Sequence, residues 1–494
     1  MKKNKKVFLL FLVVIILSSM FFNSRIIRAE PVYDINIISS KLKDKLIPLE
    51  TTNAGNGFED LQPLKKVLKD VKIIGMGEAT HGTKEFFEMK HRMFEFLVEE
   101  MGYRAFAIES EFGCHRIIND YILHDKGSIE DTLKVMKFWT WSTKEVADMI
   151  NWMKEYNKNP NNKEKIRFYG FDIQEVDSSM NNIIKYLELV DIDKRNDFKS
   201  ISLNKPTSKT LLKETKDSFQ KDRDKYISKS SILEYEIILQ DLEVINQYLE
   251  YQEIRTKYFG GEIEDSNNSI SNLFNTRDYN MAENVKWIIE HEKRHYNNNK
   301  IMLWAHNGHI SNYYFNFLNM GRLLKEALGD EYYSLGFDFY KGSFNAIGQT
   351  TFRTKLGVLE LDAPKKDIFS SYFKATNYPL SYLDLKTASS DKTLKEWLSK
   401  EHLMHLIGAS LHEGAELQII IPSQNYDGLI YIENTTAAQG FFSKYSKVNP
   451  LPIDEDGIKH LNPTQIIILS IKVAFILGII IYTFKKRRTL KNLE

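Results

Sequence analysis

Between Val71 and Leu97 the spacing of apolar side chains changes from one period to another. Val71, Ile73, Ile74 and Met76 form a short apolar run broken by Gly75 and Gly77, which predicts a buried strand of a parallel sheet. The chain then turns through Glu78-Ala79-Thr80-His81-Gly82, and from Thr83 the period becomes helical. At about 100° per residue, Phe86, Phe87, Met89, Met93, Phe94, Phe96 and Leu97 share one side. Glu88, Arg92, Glu95 and Glu99 fall opposite, and Lys90 sits inside the apolar stripe. A strand, a glycine-lined turn holding Glu and His, then a helix with one inward Lys is how an open α/β sheet builds a reactive edge.

The alternation recurs along the chain. Tyr103 to Ser110 predicts a strand ending in Glu109, and Ile166 to Asp172 another ending in Asp172. Lys300 to His306 predicts a buried strand ending in His306. Tyr333 to Phe339 carries Asp338, and Leu417 to Ser423 and Gly428 to Asn434 supply further strands. Thr132 to Tyr156 reads as an aromatic helix and Arg277 to Glu290 as another. From about 176 to 265 the chain is charged and Lys-rich, and YEIILQDLEVINQYLE has helical spacing; this predicts a helical insertion subdomain. The predicted fold class is α/β, with a mostly parallel central sheet flanked by helices. His402 and His405 share an H-x-x-H spacing that reads as an ordinary helix face.

The ends differ from the body. Residues 1–29 combine MKKNKK, an apolar core and Ala29, the pattern of a secretory signal peptide or a retained signal anchor. Thr464 to Phe484 is apolar except for Lys472 and is followed by KKRR. This predicts a transmembrane helix over 463–484 with a basic cytoplasmic tail over 485–494. The body, 30–462, is then expected outside the cell, held at the cell membrane. A formal charge of +1 over 494 residues, evenly dispersed, argues against nucleic acid. Cys114 stands alone, so no disulfide framework exists, and it reads as a small buried side chain.

The candidate chemistry gathers at strand ends. Glu78, Glu109, Asp172 and His306 close four strands, with His81 and His309 just beyond two of them. In an open parallel sheet the carboxyl ends of the strands line one crevice, so these residues are expected to converge. A His steadied by a carboxylate takes a proton from water near neutral pH, and a second His or a Lys steadies the oxyanion or protonates the leaving alkoxide. Arg277 and Asp172 form either a substrate contact or a structural ion pair, and Lys90 either meets substrate or reaches solvent. The same Glu/His set also suits a divalent metal, so a metal-dependent hydrolase stands beside the metal-free reading. A non-catalytic surface ligand-binding protein using the same cleft is the reading from another class. No G-x-S-x-G elbow occurs, which disfavours a serine acyl-enzyme.

GEATHG, followed by FFEMKHRMFEFL and GYRAFAIES, resembles the erythromycin esterase family. FWTWSTKE, FYGFD, RDYNMAENVKW, WAHNGHIS and YDGLIYIENTTAA continue the resemblance from roughly Leu46 to Ala438. It implies a hydrolase without cofactor or metal that cleaves an ester or a macrolide lactone, a small-molecule substrate. It implies His81 as general base on water, Glu78 and Glu109 as its orienting carboxylates, and His306 and His309 as the opposing wall. At Lys90 it implies a basic residue, often Arg; Lys keeps the charge and lacks the bidentate fork.

Overall fold

The computed structural model describes residues 33–442 apart from 204–206, 261–265, 314–316, 350–353 and 413. Its strands are, in chain order, β1 (Ile47–Pro48), β2 (Ile73–Met76), β3 (Ala105–Glu111), β4 (Arg167–Asp172), β5 (Ile301–Trp304) and β6 (Tyr332–Gln349). They continue with β7 (Thr354–Leu361), β8 (Leu380–Asp384), β9 (His402–His405), β10 (Ser410–His412), β11 (Leu417–Ile420) and β12 (Gly428–Thr435). The main sheet runs β1-β8-β12-β6-β2-β5-β3-β4, with β7 and β10 also paired to β6; β9 and β11 form a separate two-stranded sheet.

The centre of the sheet explains the apolar runs. β2, β3, β4 and β5 are buried along their whole length. Met76 pairs with Trp304, Trp304 with Ile108, and Ile108 with Gly170, all in parallel register. The four strands therefore end at one edge, which is where their polar end residues meet. The register is reinforced by Asn307, fully buried one turn beyond β5. Its side chain donates to the Phe337 carbonyl (2.7 Å) and accepts from the Phe337 amide (3.1 Å), while its backbone N–H donates to Glu78 (2.9 Å). A Cβ at Gly77 would meet the Asn307 side-chain oxygen at 2.0 Å, so only glycine lets this staple approach.

Helix Lys84–Met101 packs its Phe and Met stripe against the sheet and ends at Gly102 in the left-handed region (φ 76°). Its opposite face is covered too. Arg92 is 1 % exposed because the loop before β2 wraps it: Arg92 forks onto Asp60 and donates to the carbonyls of Thr51 and Gly57. The sequence places Arg92 on the outer side, since a loop folding back onto that side leaves no periodic signal.

The segment after β4 is helical: Asp177–Val190, Ile192–Lys199, Ser208–Lys221, Arg223–Lys229, Ile232–Gly260 and Ser266–Tyr296. The last of these returns to the sheet along β4. Glu292 takes the Arg167 guanidinium through two 2.6 Å bonds, Asn284 donates to the Phe171 carbonyl, and Arg277 forks onto Asp172. Positions 292, 284 and 277 are about two turns apart, so one helix face is stitched to β4 at its start, Arg167, and at its end, Phe171 and Asp172.

Several expectations are corrected. The main sheet is mixed but mostly parallel: among the described residues six strand pairs are parallel, while β8 runs antiparallel to β12 and to β1, and β7 antiparallel to β6. Its last third joins the β6–β7 hairpin to strands separated by short helices, among them Phe369–Lys374 and Lys392–Leu398, a pattern that simple strand–helix alternation does not reveal. His402 and His405 lie on β9, where His402 pairs with Ile420 and His405 with Leu417, not on a helix. Thr132 to Tyr156 is broken into Ile129–Val135, a short turn at Trp139–Trp141, and Lys144–Lys158.

The membrane anchor is corrected as well. Among the described residues no helix is long and apolar enough to cross a membrane. The long helices Ile232–Gly260 and Ser266–Tyr296 exceed the roughly 20 residues a span needs, but each carries many charged side chains, the second from Arg277 onward. A C-terminal transmembrane helix, a cell-membrane location and an extracellular body are therefore not retained. The segments 1–29, 463–484 and 485–494 lie outside the described residues.

Candidate active site

The turn after β2 delivers Glu78 and His81. Glu78 is fully buried and His81 is 12 % exposed. Glu78 Oε1 lies 2.5 Å from His81 Nδ1, which leaves Nε2 as the free edge of the imidazole. The other oxygen, Oε2, accepts from the Trp304 indole N–H (2.8 Å) and from the Lys90 ammonium (2.5 Å). Lys90 is wholly enclosed, with its Nζ 4.3 Å from the Trp304 ring centroid. Burial pushes its ammonium down to about 8, against the pull of Glu78 and Glu109. Gly82 fits this turn because a Cβ there would lie 2.0 Å from the Asn345 carbonyl oxygen.

A second charged group lies across the edge. Arg277 donates to Asp172 (2.9 Å to each oxygen) and to Glu109 Oε1 (2.7 Å). His309, in the single turn Asn307–Ile310, has its Nδ1 2.8 Å from Asp278 and its Nε2 3.3 Å from Glu109. Burial works against a charge on His309, but Asp278 and Glu109 outweigh it and lift the imidazole to about 10. A protonated Nε2 donates toward Glu109, so the Arg277 Nη1 found 3.1 Å away is a close approach of two donors rather than a hydrogen bond. Burial alone would raise Glu109; His309 and Arg277 reverse this and hold the carboxyl well below its usual range.

His306 joins the two groups. Its backbone N–H donates to Glu109 Oε2 (2.9 Å), and its ring lies 5.2 Å from that of His81, centroid to centroid. Its Nδ1 accepts from the Gly308 amide (3.2 Å), which leaves the ring proton on Nε2. Part of the residue reaches the cleft, whereas Nε2 is buried and finds no partner of ordinary geometry, although the Ala79 backbone lies near. Burial, then His81 and His309, keep this imidazole well below its ordinary value and so neutral. Gly408 lies over both rings. A Cβ there would stand 3.8 Å from His306 Nε2 and 3.9 Å from His81 Cδ2, so the glycine keeps that space open.

All eight candidate residues thus gather at one sheet edge, in two linked clusters. Lys90 lies behind Glu78 and Asp172 behind Arg277, each one step back from the cleft. Asp278 and Trp304 are not singled out by the sequence, and Trp141 reads there as a core residue of an aromatic helix. Trp141 donates to the Glu109 carbonyl (3.1 Å) and presents its ring edge-on to His81. Asp278 is adjacent to Arg277 and Trp304 precedes the AHNGH run, so proximity to named candidates was the available signal. Nothing in the sequence flags Gly408. As for metal chemistry, three ligand atoms within 4.8 Å of one another occur, among the described residues, at Glu236, His291 and His295 and not in this cleft.

The arrangement is a cluster of acid–base side chains along one edge of an α/β sheet. The sequence pattern of the erythromycin esterase family matches residues 98–435. The chain belongs to the erythromycin esterase family and is a hydrolase acting on ester bonds. The matched span contains Glu109, Asp172, Arg277, His306 and His309, while Glu78, His81 and Lys90 precede it. The chain is 30 % identical over 339 residues to erythromycin esterase type II of Escherichia coli, covering 62 % of this chain and 78 % of that one. It is 27 % identical over 424 residues to a putative hydrolase, YbfO, of Bacillus subtilis, covering 79 % and 89 %. A solved structure of a Bacillus cereus protein superimposes with a TM-score of 0.71 at 26 % identity, covering 83 % of this chain and all of the other.

Proposed function

We propose that the protein cleaves a carboxylic ester, or the lactone of a macrolide, by attack of a water molecule that His81 deprotonates. The observation that carries this reading is the Glu78–His81 pair: Nδ1 is engaged at 2.5 Å, so the lone pair on Nε2 faces the cleft. His81 takes a proton from water as the oxygen attacks the carbonyl carbon. The carbon–oxygen bond to the leaving alcohol then breaks, and the imidazolium returns the proton to the alkoxide, giving acid and alcohol. The neutral imidazole of His306, 5.2 Å from that of His81 centroid to centroid, forms the wall opposite the base. Arg277, fixed by Glu109 and Asp172, adds positive charge to that wall, and Tyr251 of helix Ile232–Gly260 lies close enough to feel its charge.

Ion pairs tie the cluster together: Lys90 to Glu78, Arg277 to Glu109 and Asp172, and His309 to Asp278. In this reading Lys90 and Asp172 position Glu78 and Arg277 rather than touch substrate.

The test is His81→Asn, assayed on a simple aryl acetate and on erythromycin. Turnover on whichever ester the wild type cleaves should fall on the order of a hundredfold to ten-thousandfold, with the thermal midpoint nearly unchanged. Turnover within a factor of a few of wild type would dismiss His81 as the base.

A further inference from the structure

Away from the cleft, Glu236, His291 and His295 each present one ligand atom, and the three atoms lie within 4.8 Å of one another. The sequence makes this meeting possible. His291 and His295 are four residues apart on helix Ser266–Tyr296, so they share a face, and their ring centroids are 4.7 Å apart. Glu236 sits near the start of helix Ile232–Gly260, which packs beside the end of the other. His295 Nε2 lies 2.7 Å from one Glu236 oxygen, and Arg294 holds the other at 2.8 Å.

His291 is the unusual member. It is 3 % exposed, Trp287 stacks on it at 4.7 Å, and its Nδ1 is buried without a hydrogen-bond partner. Such an orphan is costly unless something completes it.

We propose that Glu236, His291 and His295 form a site for a divalent transition-metal ion of the zinc class that clamps helix Ile232–Gly260 to helix Ser266–Tyr296. Two imidazoles and a carboxylate are a borderline donor set, suited to zinc, cobalt or nickel rather than to calcium or magnesium. Tetrahedral zinc, with bonds of about 2.0–2.1 Å, needs donor atoms about 3.4 Å apart. The 2.7 Å His295–Glu236 pair must open a little and the wider separations close, which side-chain rotation supplies. Arg294 is the one competitor for Glu236, and its largely exposed side chain is free to swing into solvent. The other nearby cations already have carboxylates of their own, Lys216 with Glu243 and Arg167 with Glu292. A surface recess of about 350 Å³ borders Glu236, Trp287 and Arg294. Arg277 lies fourteen residues before His291, roughly 21 Å along the helix, so the ion holds the helix that carries Arg277 without entering the cleft.

The test uses the full chain freed of metal by chelation and dialysis. Cobalt(II) should bind to one equivalent with the visible absorption of a tetrahedral ion, zinc should displace it, and zinc should raise the thermal midpoint. His291→Ala and His295→Ala should each abolish that absorption, Glu236→Gln should weaken it, and His81→Asn, in the cleft, should leave it intact. Should His291→Ala fail to fold, the more exposed His295→Ala decides. Cobalt absorption that survives the His295 change, that is lost in His81→Asn, or that is absent from folded wild type at micromolar metal would overturn the proposal.

Discussion

At the scale of single residues, the informative feature is how little of the site is free to move. Glu78 spends one oxygen on His81 and the other on Lys90 and Trp304. Lys90 is enclosed by Trp304, Phe87 and Phe337, so its ammonium has no water to turn to. Because burial brings that ammonium down to about 8, its charge is lost within an accessible range. Above that pH Glu78 Oε2 keeps only the indole, and the carboxylate no longer orients His81 as firmly. Turnover should therefore show an alkaline limb near pH 8. In Lys90→Met that limb should vanish, and the maximum rate should fall about tenfold to a hundredfold, the scale of other buried orienting partners. An unchanged limb in Lys90→Met would assign it to another group. These residues were legible because Glu, His and an inward Lys are chemically loud at strand ends. Asp278 and Trp304 were not, because their importance lies in whom they touch.

At the scale of elements, the period changes reported the inner strands faithfully. β2 and β5 are short and wholly apolar, while β3 and β4 carry apolar runs that close in the polar residues Glu109, Ser110, Glu111 and Asp172. The outer strands were harder to read. β7 and β10 are only partly buried, so their sequences mix apolar and polar residues without a clean alternation. His402 and His405 belong to β9 through its backbone ladder with β11, and their rings contact the carbonyls of Trp397 and Phe339, neither of which a spacing rule announces. Asn307 shows what links elements to the site. It ties the turn after β5 to β6 and carries His306 and His309 on either side. Asn307→Ala would strand both the amide and the carbonyl of Phe337 in a buried setting. The expected loss is about 2–4 kcal/mol by chemical denaturation, since each unsatisfied group costs about 1–3 kcal/mol. Turnover should fall as well, because His306 and His309 lose their anchor. A loss below about 0.5 kcal/mol, the scale of a neutral surface change, would mean that water replaces the amide completely.

At the scale of the whole molecule, the charged edge makes stability depend on pH, and His309 is the group to follow. It ties the turn after β5 to helix Ser266–Tyr296 through Asp278 and to β3 through Glu109. Its imidazole stands at about 10 in the folded chain, against an ordinary 6.5. Between those values the folded chain binds a proton that the unfolded chain does not, so stability falls as pH rises. The His309 contribution is thus fully present below pH 6.5 and gone once pH passes about 10. Other buried groups act on the same curve. Burial pushes His115 and His402 down to about 4, so below 6.5 they take up protons on unfolding and stability falls with acid. Burial lifts Asp241 to about 7, which acts in the opposite direction between 3.8 and 7, and Lys90 adds stability with rising pH from about 8 to 10.5. A raw profile mixes all of these. The difference between wild type and His309→Gln removes every term the two proteins share. The gap in thermal midpoint should be widest and level below pH 6.5, then narrow steadily toward pH 10. A gap that stays constant across that window, or widens with pH, would mean that His309 is neutral in the folded protein and that Arg277, not Glu109, is the partner of its Nε2.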